Sequence, residues 1–202
     1  MSESVQLVAE ASFPCRYGDF RIFGFRAVGT GVEQEFVVLA KGDLPSAPAP
    51  LLRIHSRCLT GDVFRSLRCD CGPQLSLALA KIEQAGSGLL IYDPQEGRGI
   101  GLLNKLMAYQ LQDQGADTVE ANQRLGFGAD ERNYSSAVAI LRHFGISAVR
   151  MLSNNPAKVD ALESGGIAVV ERVPCDPEDA GDLARSYLRT KRDKLGHMLD
   201  GM

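Results

Sequence analysis

Three cysteines close together in the chain are the residues with the clearest chemistry. Ten residues separate Cys58 from Cys69, and one residue separates Cys69 from Cys71. Residues two apart on a strand point to the same side, so we expect Cys69 and Cys71 on a strand, with Cys58 returning to them across a turn. Three thiolates without an obvious fourth protein ligand predict a zinc site with an open position, where the metal binds water and lowers its pKa.

The alternative for this cluster is three buried apolar cysteines, because free cysteine is often a core residue. The polar neighbours Arg68 and Asp70 fit a core strand poorly, so the spacing favours a metal. His55 is a possible fourth ligand, although a single histidine on a strand is more often packed or facing a substrate. Cys15 and Cys175 lack metal-like spacing and are expected to be structural.

A glycine-rich segment, residues 94–101, follows a predicted buried strand and opens a predicted helix. Such a turn exposes backbone N–H groups at a helix N-terminus, which favours anions. It lacks both the Gly-Lys-Ser/Thr ending of a P-loop and the glycine spacing of a dinucleotide-binding turn, and its alternative is a simple tight loop. Glu96 can accept hydrogen bonds from a purine and Arg98 can clamp phosphate, which favours a nucleotide site.

Two further polar segments follow predicted helices or strands. Residues 122–133 carry four charged side chains on a glycine-containing loop, which is either a solvated face or a catalytic loop on a rigid scaffold. Either Asn154 or Asn155 can cap the helix that follows, with Pro156 at its first position. Lys158 in the first turn of that helix is unfavourable for the helix dipole, which suggests a phosphate contact.

Strands and helices alternate along most of the chain, which predicts an α/β fold. We expect a mixed sheet with an N-terminal β-rich portion, helices packed on the sheet and a C-terminal helix. Predicted strands lie within residues 5–42 and at 51–56, 88–92, 147–152 and 167–173. Predicted helices lie at 74–84, 100–114, 135–144, 157–164 and 182–199. We expect one domain over residues 1–202, with a β-rich front (1–50), an α/β body (51–174) and a helical tail (175–202).

Composition excludes several classes of protein. The net charge of −3 argues against a general binder of nucleic acid or of membrane surfaces, so an anionic ligand needs a local basic pocket. No apolar run approaches the length of a membrane span, and the polar N-terminus lacks a signal-peptide pattern. The odd count of five cysteines argues against a disulfide framework. We therefore expect a cytoplasmic protein.

Three segments together resemble the GTP cyclohydrolase II family, which opens riboflavin biosynthesis. They are RIHSRCLTGDVFRSLRCDCGPQL from Arg53, QEGRGIGLLNKLMAYQLQDQGADTVEANQRLGFGADER from Gln95, and NNPAKV from Asn154. The resemblance covers most of residues 53–160, and its order and spacing are far more specific than a short motif.

The resemblance assigns roles to individual residues. Cys58, Cys69 and Cys71 look like the family's zinc ligands. Asp130 matches the family's proton acceptor, and Tyr109 matches a tyrosine needed for ring opening. Positions that match GTP contacts are Arg53, Ile54, His55, Ser56, Arg57, Gln74, Glu96, Gly97, Arg98, Thr118, Ser153 and Lys158.

The resemblance also implies a reaction and its cofactors. The family hydrolyses GTP to formate, pyrophosphate and 2,5-diamino-6-(5-phosphoribosylamino)pyrimidin-4(3H)-one, with one zinc per subunit and magnesium on the triphosphate, usually as a homodimer. Arg132 matches the arginine proposed as nucleophile at the α-phosphorus. Because arginine stays protonated at neutral pH, a phosphate clamp is the alternative for this residue.

Departures from the family pattern leave two other functions open. Arg57 stands where the family usually has glutamate, Ser153 stands where it has threonine, and residues 175–181 also differ. A specialised paralogue that stops at the formamidopyrimidine, or acts on another purine nucleotide, is one alternative; Tyr109 favours the full reaction. A non-catalytic module that binds zinc or nucleotide is the other.

Overall fold

A mixed sheet forms the centre of the computed structural model, which describes residues 4–28 and 33–176 of the chain. Over these residues the strands are β1 (Ser4–Cys15), β2 (Gly18–Val28), β3 (Gln34–Lys41), β4 (Leu51–Ser56), β5 (Gly88–Asp93), β6 (Ala148–Leu152) and β7 (Ala168–Val173). They pair in the order β1-β2-β3-β5-β4-β6-β7. The β-rich front, β1 to β3, is antiparallel and joins β5 antiparallel, whereas β4 is parallel to both β5 and β6, and β6 is parallel to β7.

Helices connect the parallel strands. They are α1 (Leu59–Asp62), α2 (Cys71–Ala85), α3 (Leu102–Asp113), α4 (Thr118–Arg124), α5 (Ser135–His143) and α6 (Pro156–Ser164), with a 3₁₀ turn at Glu96–Gly99. Because parallel strands end at the same edge, the segments after β4, β5 and β6 meet there. Ligands bind at this edge in open α/β sheets, so we expect the functional site there.

Alternating side chains of the central strands build a core on each face of the sheet. Leu52 and Ile54 of β4 pack in one cluster with residues of α5 and α6, whereas Leu51 packs in the other with α2. β5 divides in the same way, with Ile91 on the first face and Leu90 on the second. Burial on both faces explains the near-continuous apolar runs of these two strands.

The structure confirms the predicted α/β fold with a mixed sheet, and it corrects one local prediction. Cys69 and Cys71 do not lie on a strand: Cys69 lies in the loop between α1 and α2, and Cys71 is the first residue of α2. The sequence offered a signal for this, since Pro73 falls in the first turn, where proline is tolerated. The predicted helix at 182–199 lies outside the described residues. Among the helices described, none has the length and apolar character needed to cross a bilayer.

Candidate active site

The three predicted zinc ligands converge at the carboxyl edge of the sheet. Cys58 lies between β4 and α1, Cys69 lies in the loop between α1 and α2, and Cys71 is the first residue of α2. All three sulfur atoms lie within 4.8 Å of one another, and those of Cys58 and Cys69 are 3.7 Å apart. Within residues 4–28 and 33–176, no further His, Cys, Asp or Glu joins Cys71 and its partners in this group. The donor set therefore fits a zinc ion held by three thiolates with one side open.

Gly61 in α1 lies directly against the sulfur atoms. A Cβ atom at this position would be 2.8 Å from the sulfur of Cys69 and 3.2 Å from that of Cys58, closer than such atoms approach. The absence of a side chain at Gly61 thus creates part of the space in which the thiols converge.

Lys105 reaches the sulfur cluster from α3. Its Nζ donates to the sulfur of Cys58 at 3.1 Å, to Oγ1 of Thr60 at 3.0 Å and to the carboxylate of Glu96 at 2.8 Å. Burial lowers the pKa of Lys105, but the hydrogen bond to Glu96 and the charge of Cys58 outweigh burial and raise it above its ordinary value. Lys105 is therefore a fixed positive charge between a thiolate and a carboxylate.

Hydrogen bonds among the thiols separate their pKa values. The thiols of Cys69 and Cys71 donate to Cys58, and this holds the pKa of Cys58 far below its ordinary value. The same hydrogen bonds raise the pKa of Cys69 to about 11 and raise that of Cys71 as well. The cluster thus carries a thiolate flanked by two donors, and a divalent cation bound to the sulfurs would release the remaining protons.

Tyr109 lies one turn after Lys105 on α3 and lines the same cavity. Its hydroxyl is 3.3 Å from Oγ1 of Thr60, and the Nζ of Lys105 lies 5.7 Å from its ring centre. Burial raises the pKa of Tyr109, so its hydroxyl keeps the proton at neutral pH. A proton-bearing group therefore stands beside the sulfur cluster.

Glu96 has protein partners for both of its carboxylate oxygens. One oxygen accepts from the Leu59 N–H at 2.8 Å, and the other accepts from Lys105 and from the Gly97 N–H. The Nε of Arg57, whose side chain is 47% exposed, lies 4.0 Å from the first oxygen. Glu96 consequently ties the start of α1 to α3.

Two loops over the cleft are joined through Gln95. Its side chain donates to the Asn133 carbonyl at 2.6 Å and accepts from the Asn133 N–H at 2.8 Å. Next to it, the carbonyl of Arg98 accepts from the Glu131 N–H at 2.9 Å. Arg98 has a φ of 62°, a left-handed conformation uncommon for residues other than glycine, which these tertiary hydrogen bonds support.

Asp130 and Arg132 form an ion pair at the wall of the cleft. The Nε of Arg132 donates to Asp130 at 2.8 Å, a second nitrogen donates to its other oxygen, and a third donates to Oγ of Ser56 at 3.2 Å. Burial works to raise the pKa of Asp130, but the hydrogen bonds and charge of Arg132 outweigh it and lower the pKa. Asp130 is therefore ionised and able to accept a proton.

Arg53 and Gln74 belong to the side of the cleft away from Lys105. Arg53 is buried and donates to the Leu152 carbonyl at 3.0 Å and to the Gln74 side chain at 2.7 Å. These contacts tie β4 to β6 and to α2. They hold a guanidinium group in the cleft to which no carboxylate of residues 4–28 or 33–176 is bonded.

The segment after β6 forms the rest of this side. Asn155 caps α6 by accepting from the Ala157 N–H at 3.0 Å with Pro156 at the helix start, as predicted. The buried Lys158 donates to the Ile54 carbonyl at 2.8 Å. Burial, and then the charges of nearby arginines, hold the pKa of Lys158 well below its ordinary value, so a bound anion would restore its charge.

The cleft consists of two adjoining cavities of about 670 and 570 Å³ that share Ser56, Cys71, Arg98 and Arg132. Besides the three cysteines, the predicted residues in its walls are Arg53, His55, Ser56, Arg57, Gln74, Glu96, Gly97, Arg98, Tyr109, Arg132, Ser153 and Lys158.

Three predicted residues lie elsewhere. The side chain of Ile54 is fully buried in the hydrophobic core, and its contact with GTP stays a prediction. Asp130 adjoins the cleft through Arg132. Thr118 is the first residue of α4.

Lys105, Asp62 and Gln95 are site residues that the sequence analysis missed. Lys105 lies four residues before Tyr109, so the two share one helix face, and this spacing was a usable signal. Gln95 directly precedes the glutamate of the glycine-rich segment. Asp62 contacts His55, Tyr92 and the backbone of Cys58 only after the chain folds back, and no local pattern marks it.

Comparison with known proteins identifies the family of this chain. Residues 6–174 match the GTP cyclohydrolase II family. A protein from Hahella chejuensis named GTP cyclohydrolase-2 is 53% identical over 196 residues, which are 97% of this chain and 93% of that protein. A riboflavin biosynthesis protein from Vibrio vulnificus is also 53% identical over 97% of this chain, which spans 53% of that relative.

A solved structure of RibBX, a two-domain 3,4-dihydroxy-2-butanone 4-phosphate synthase from A. baumannii, is 20% identical with a TM-score of 0.47, covering 86% of this chain and 41% of that one. The family match spans both halves of the cleft, from the cysteine cluster to Lys158. Given this match and close relatives along nearly its whole length, the chain belongs to the GTP cyclohydrolase II family and is a hydrolase.

Proposed function

We propose that this chain is a zinc-dependent enzyme that opens the imidazole ring of GTP and releases formate and pyrophosphate, leaving 2,5-diamino-6-(5-phosphoribosylamino)pyrimidin-4(3H)-one. The observation that carries the proposal is an open-sided group of three thiols in the wall of a cation-lined cleft. Cys58, Cys69 and Cys71 would hold the zinc, which when bound supplies Lewis acidity for hydrolysis.

The cations of the cleft support a triphosphate substrate. They are Arg53, Arg57, Arg68, Arg98, Lys105, Arg132 and Lys158. The chain as a whole has a net charge of −3, so this concentration of positive charge is local. Arginine forks and buried lysine suit phosphate oxygens, and magnesium on the nucleotide would balance the remaining negative charge.

The titrating groups of the cleft divide into proton donors and acceptors. Tyr109, with its raised pKa, can donate a proton beside the sulfur cluster. Asp130, with its lowered pKa, can accept one and is held in place by Arg132. Both shifts lead away from neutrality, so each group keeps one protonation state at pH 7, with Tyr109 as a hydrogen-bond donor and Asp130 as an ionised acceptor beside the cleft.

The test is an assay of formate and pyrophosphate together, with zinc-loaded protein, GTP and magnesium. We expect both products in equal amounts, and loss of activity after removal of zinc by a chelator. Tyr109→Phe should reduce formate release by a factor of about 100 or more. Tyr17→Phe is the matched control, because the hydroxyl of Tyr17 donates to Ser76 and is not in the cleft walls.

Other product patterns would point to the alternatives. Pyrophosphate without formate would identify an enzyme that stops at the formamidopyrimidine. In that case Arg57→Glu, which restores the residue usual in the family, would be the first variant to test for formate release. Tight zinc and GTP binding with neither product would contradict catalysis and favour a nucleotide-binding module.

A further inference from the structure

Asp62, the last residue of α1, links three elements beneath the cleft. Its buried carboxylate accepts from the Tyr92 hydroxyl at 2.8 Å and from the Cys58 N–H at 3.0 Å. Its other oxygen lies 3.0 Å from Nε2 of His55. Asp62 thus joins β4, β5 and the backbone of the first cysteine, although no motif in the sequence marks it.

The contact with Asp62 decides where His55 carries its proton. Burial, and then the charge of Arg53, lower the pKa of His55 against the opposing effect of Asp62. The imidazole is therefore neutral at pH 7 with a single N–H. One oxygen of Asp62 already accepts from Cys58 and Tyr92, and the other faces Nε2 of His55 at 3.0 Å, so this contact is a hydrogen bond with the proton on Nε2, and Nδ1 is left as an acceptor.

Nδ1 of His55 has no hydrogen-bond partner among the described residues, although the side chain is only 2% exposed. A buried polar atom without a partner is costly, and its presence in a functional cleft indicates a ligand. His55 lines the cavity that also contains Arg53 and Lys158. The ring stacks on Tyr92, with ring centres 5.7 Å apart, which fixes its plane.

We propose that Asp62 is a positioning residue that holds His55 in the tautomer whose Nδ1 accepts a hydrogen bond from an uncharged N–H or O–H group of the bound nucleotide. The proposal rests on the proposed function for the identity of the ligand. A lone pair repels phosphate oxygens, which the neighbouring cations attract instead. The donor is therefore an N–H of the purine base (its amino group or its ring N1–H) or a ribose hydroxyl.

The decisive variant is Asp62→Asn, because its amide can turn a donor toward Nε2 and shift the His55 proton to Nδ1. Nitrogen-detected NMR of the zinc-loaded protein without nucleotide distinguishes the tautomers. The chain has three histidines, and the signal lost in His55→Gln identifies the one in question. We expect the Nε2–H form in the unchanged protein and loss of that form in Asp62→Asn.

Steady-state kinetics and calorimetry of GTP binding supply the second readout. Asp62→Asn should raise KM and Kd for GTP about tenfold, with kcat and zinc content retained, as for loss of one hydrogen bond in a buried site. His55→Gln should act alike, since glutamine can donate to Asp62 but leaves no acceptor at Nδ1. The double variant should bind no worse than either single one. Asp43→Asn, an exposed aspartate bonded to Ser46, should change nothing.

Nucleotide analogues separate the two sources of the donor. Inosine triphosphate lacks the purine amino group, 2-aminopurine riboside triphosphate lacks the ring N1–H, and 2′-deoxy- and 3′-deoxy-GTP each lack one ribose hydroxyl. The analogue that lacks the donor should bind with equal affinity to the unchanged protein and to His55→Gln. An unaltered tautomer in Asp62→Asn, or unaltered GTP affinity despite an altered tautomer, would overturn the proposal. Failure of the proposed function would instead appear as absent formate and pyrophosphate with the tautomer shift intact.

Discussion

Two lysines show how position decides the charge of a side chain in this cleft. Lys105 is buried, but its hydrogen bond to Glu96 and the charge of Cys58 raise its pKa. Lys158 is also buried, yet its strongest charged neighbours are Arg53 and Arg132, which add to the effect of burial and lower its pKa. The first is a permanent cation beside the thiols, and the second acquires charge when an anion arrives.

The lowered pKa of Lys158 makes stability depend on pH. Between that lowered value and the ordinary 10.5, the unfolded chain binds more protons than the folded one, so the free energy of unfolding rises with pH. Lys158→Met removes this dependence. We expect the variant to gain stability relative to the unchanged protein as pH falls from near the ordinary lysine value to neutrality, measured by urea unfolding.

Lys81→Met provides the control for this prediction, because Lys81 also donates to a backbone carbonyl, that of Pro174, but is exposed. Its stability difference from the unchanged protein should stay constant with pH. Added triphosphate should stabilise the unchanged protein and the Lys81 variant more than the Lys158 variant. A pH-independent difference for Lys158→Met would show that Lys158 is charged in the folded protein.

At the scale of elements, α1 is the part that the sequence predicted least well. A four-residue helix is too short to show periodicity, so Leu59–Asp62 was expected to be only a turn. The spacing of Cys69 and Cys71 matched a strand, but Cys71 is the first residue of α2 and Cys69 lies in the loop before it. In contrast, β4, β5 and α5 were predicted within a few residues, because their apolar patterns reflect burial that persists along the whole element.

Helix α4 was missed although its signal was present. Asp117 accepts from the N–H groups of Val119 and Glu120, and Glu120 reaches back to the N–H of Asp117, which is a capping box. The Asp-x-x-Glu spacing of this capping box is visible in the sequence. The contact of Asp62 with His55 was not, because it depends on how α1 folds against β4.

Gly61→Ala tests whether α1 shapes the metal site. The added Cβ would meet the sulfur of Cys69 at 2.8 Å and the Cβ of Cys71 at 3.0 Å, so the thiols must separate. We expect zinc affinity to fall by about tenfold or more, as measured by competition with a chromophoric chelator.

The control for Gly61→Ala is Gly24→Ala in β2, where a Cβ meets no atom within 4 Å and zinc affinity should not change. Circular dichroism should show folded protein for both variants. Zinc binding of normal strength in Gly61→Ala would mean that the thiols do not hold the metal in the arrangement described.

At the scale of the whole molecule, the cysteine cluster and the hydrophobic core are separate. The two clusters that stabilise the sheet contain apolar residues of its central strands and of α2, α5 and α6, and none of the three thiols. Substitution of one of these cysteines should therefore leave the packing of the hydrophobic core intact. The antiparallel front adds Phe25, Phe36 and Val38 to the larger cluster, so the front and the parallel body share one core.

This separation predicts opposite outcomes for Cys69→Ser and Ile91→Ala. Cys69→Ser should abolish tight zinc binding and formate release but leave the free energy of unfolding of the zinc-free protein within about 1 kcal/mol. Ile91 is fully buried in the sheet, and Ile91→Ala should lower that free energy by about 3 kcal/mol while zinc stays bound under folding conditions. Urea unfolding in the presence of a chelator measures the free energy of unfolding of both zinc-free variants. Unfolding of Cys69→Ser without denaturant would instead make the metal a structural element, and the open side of the thiol group would lose its catalytic meaning.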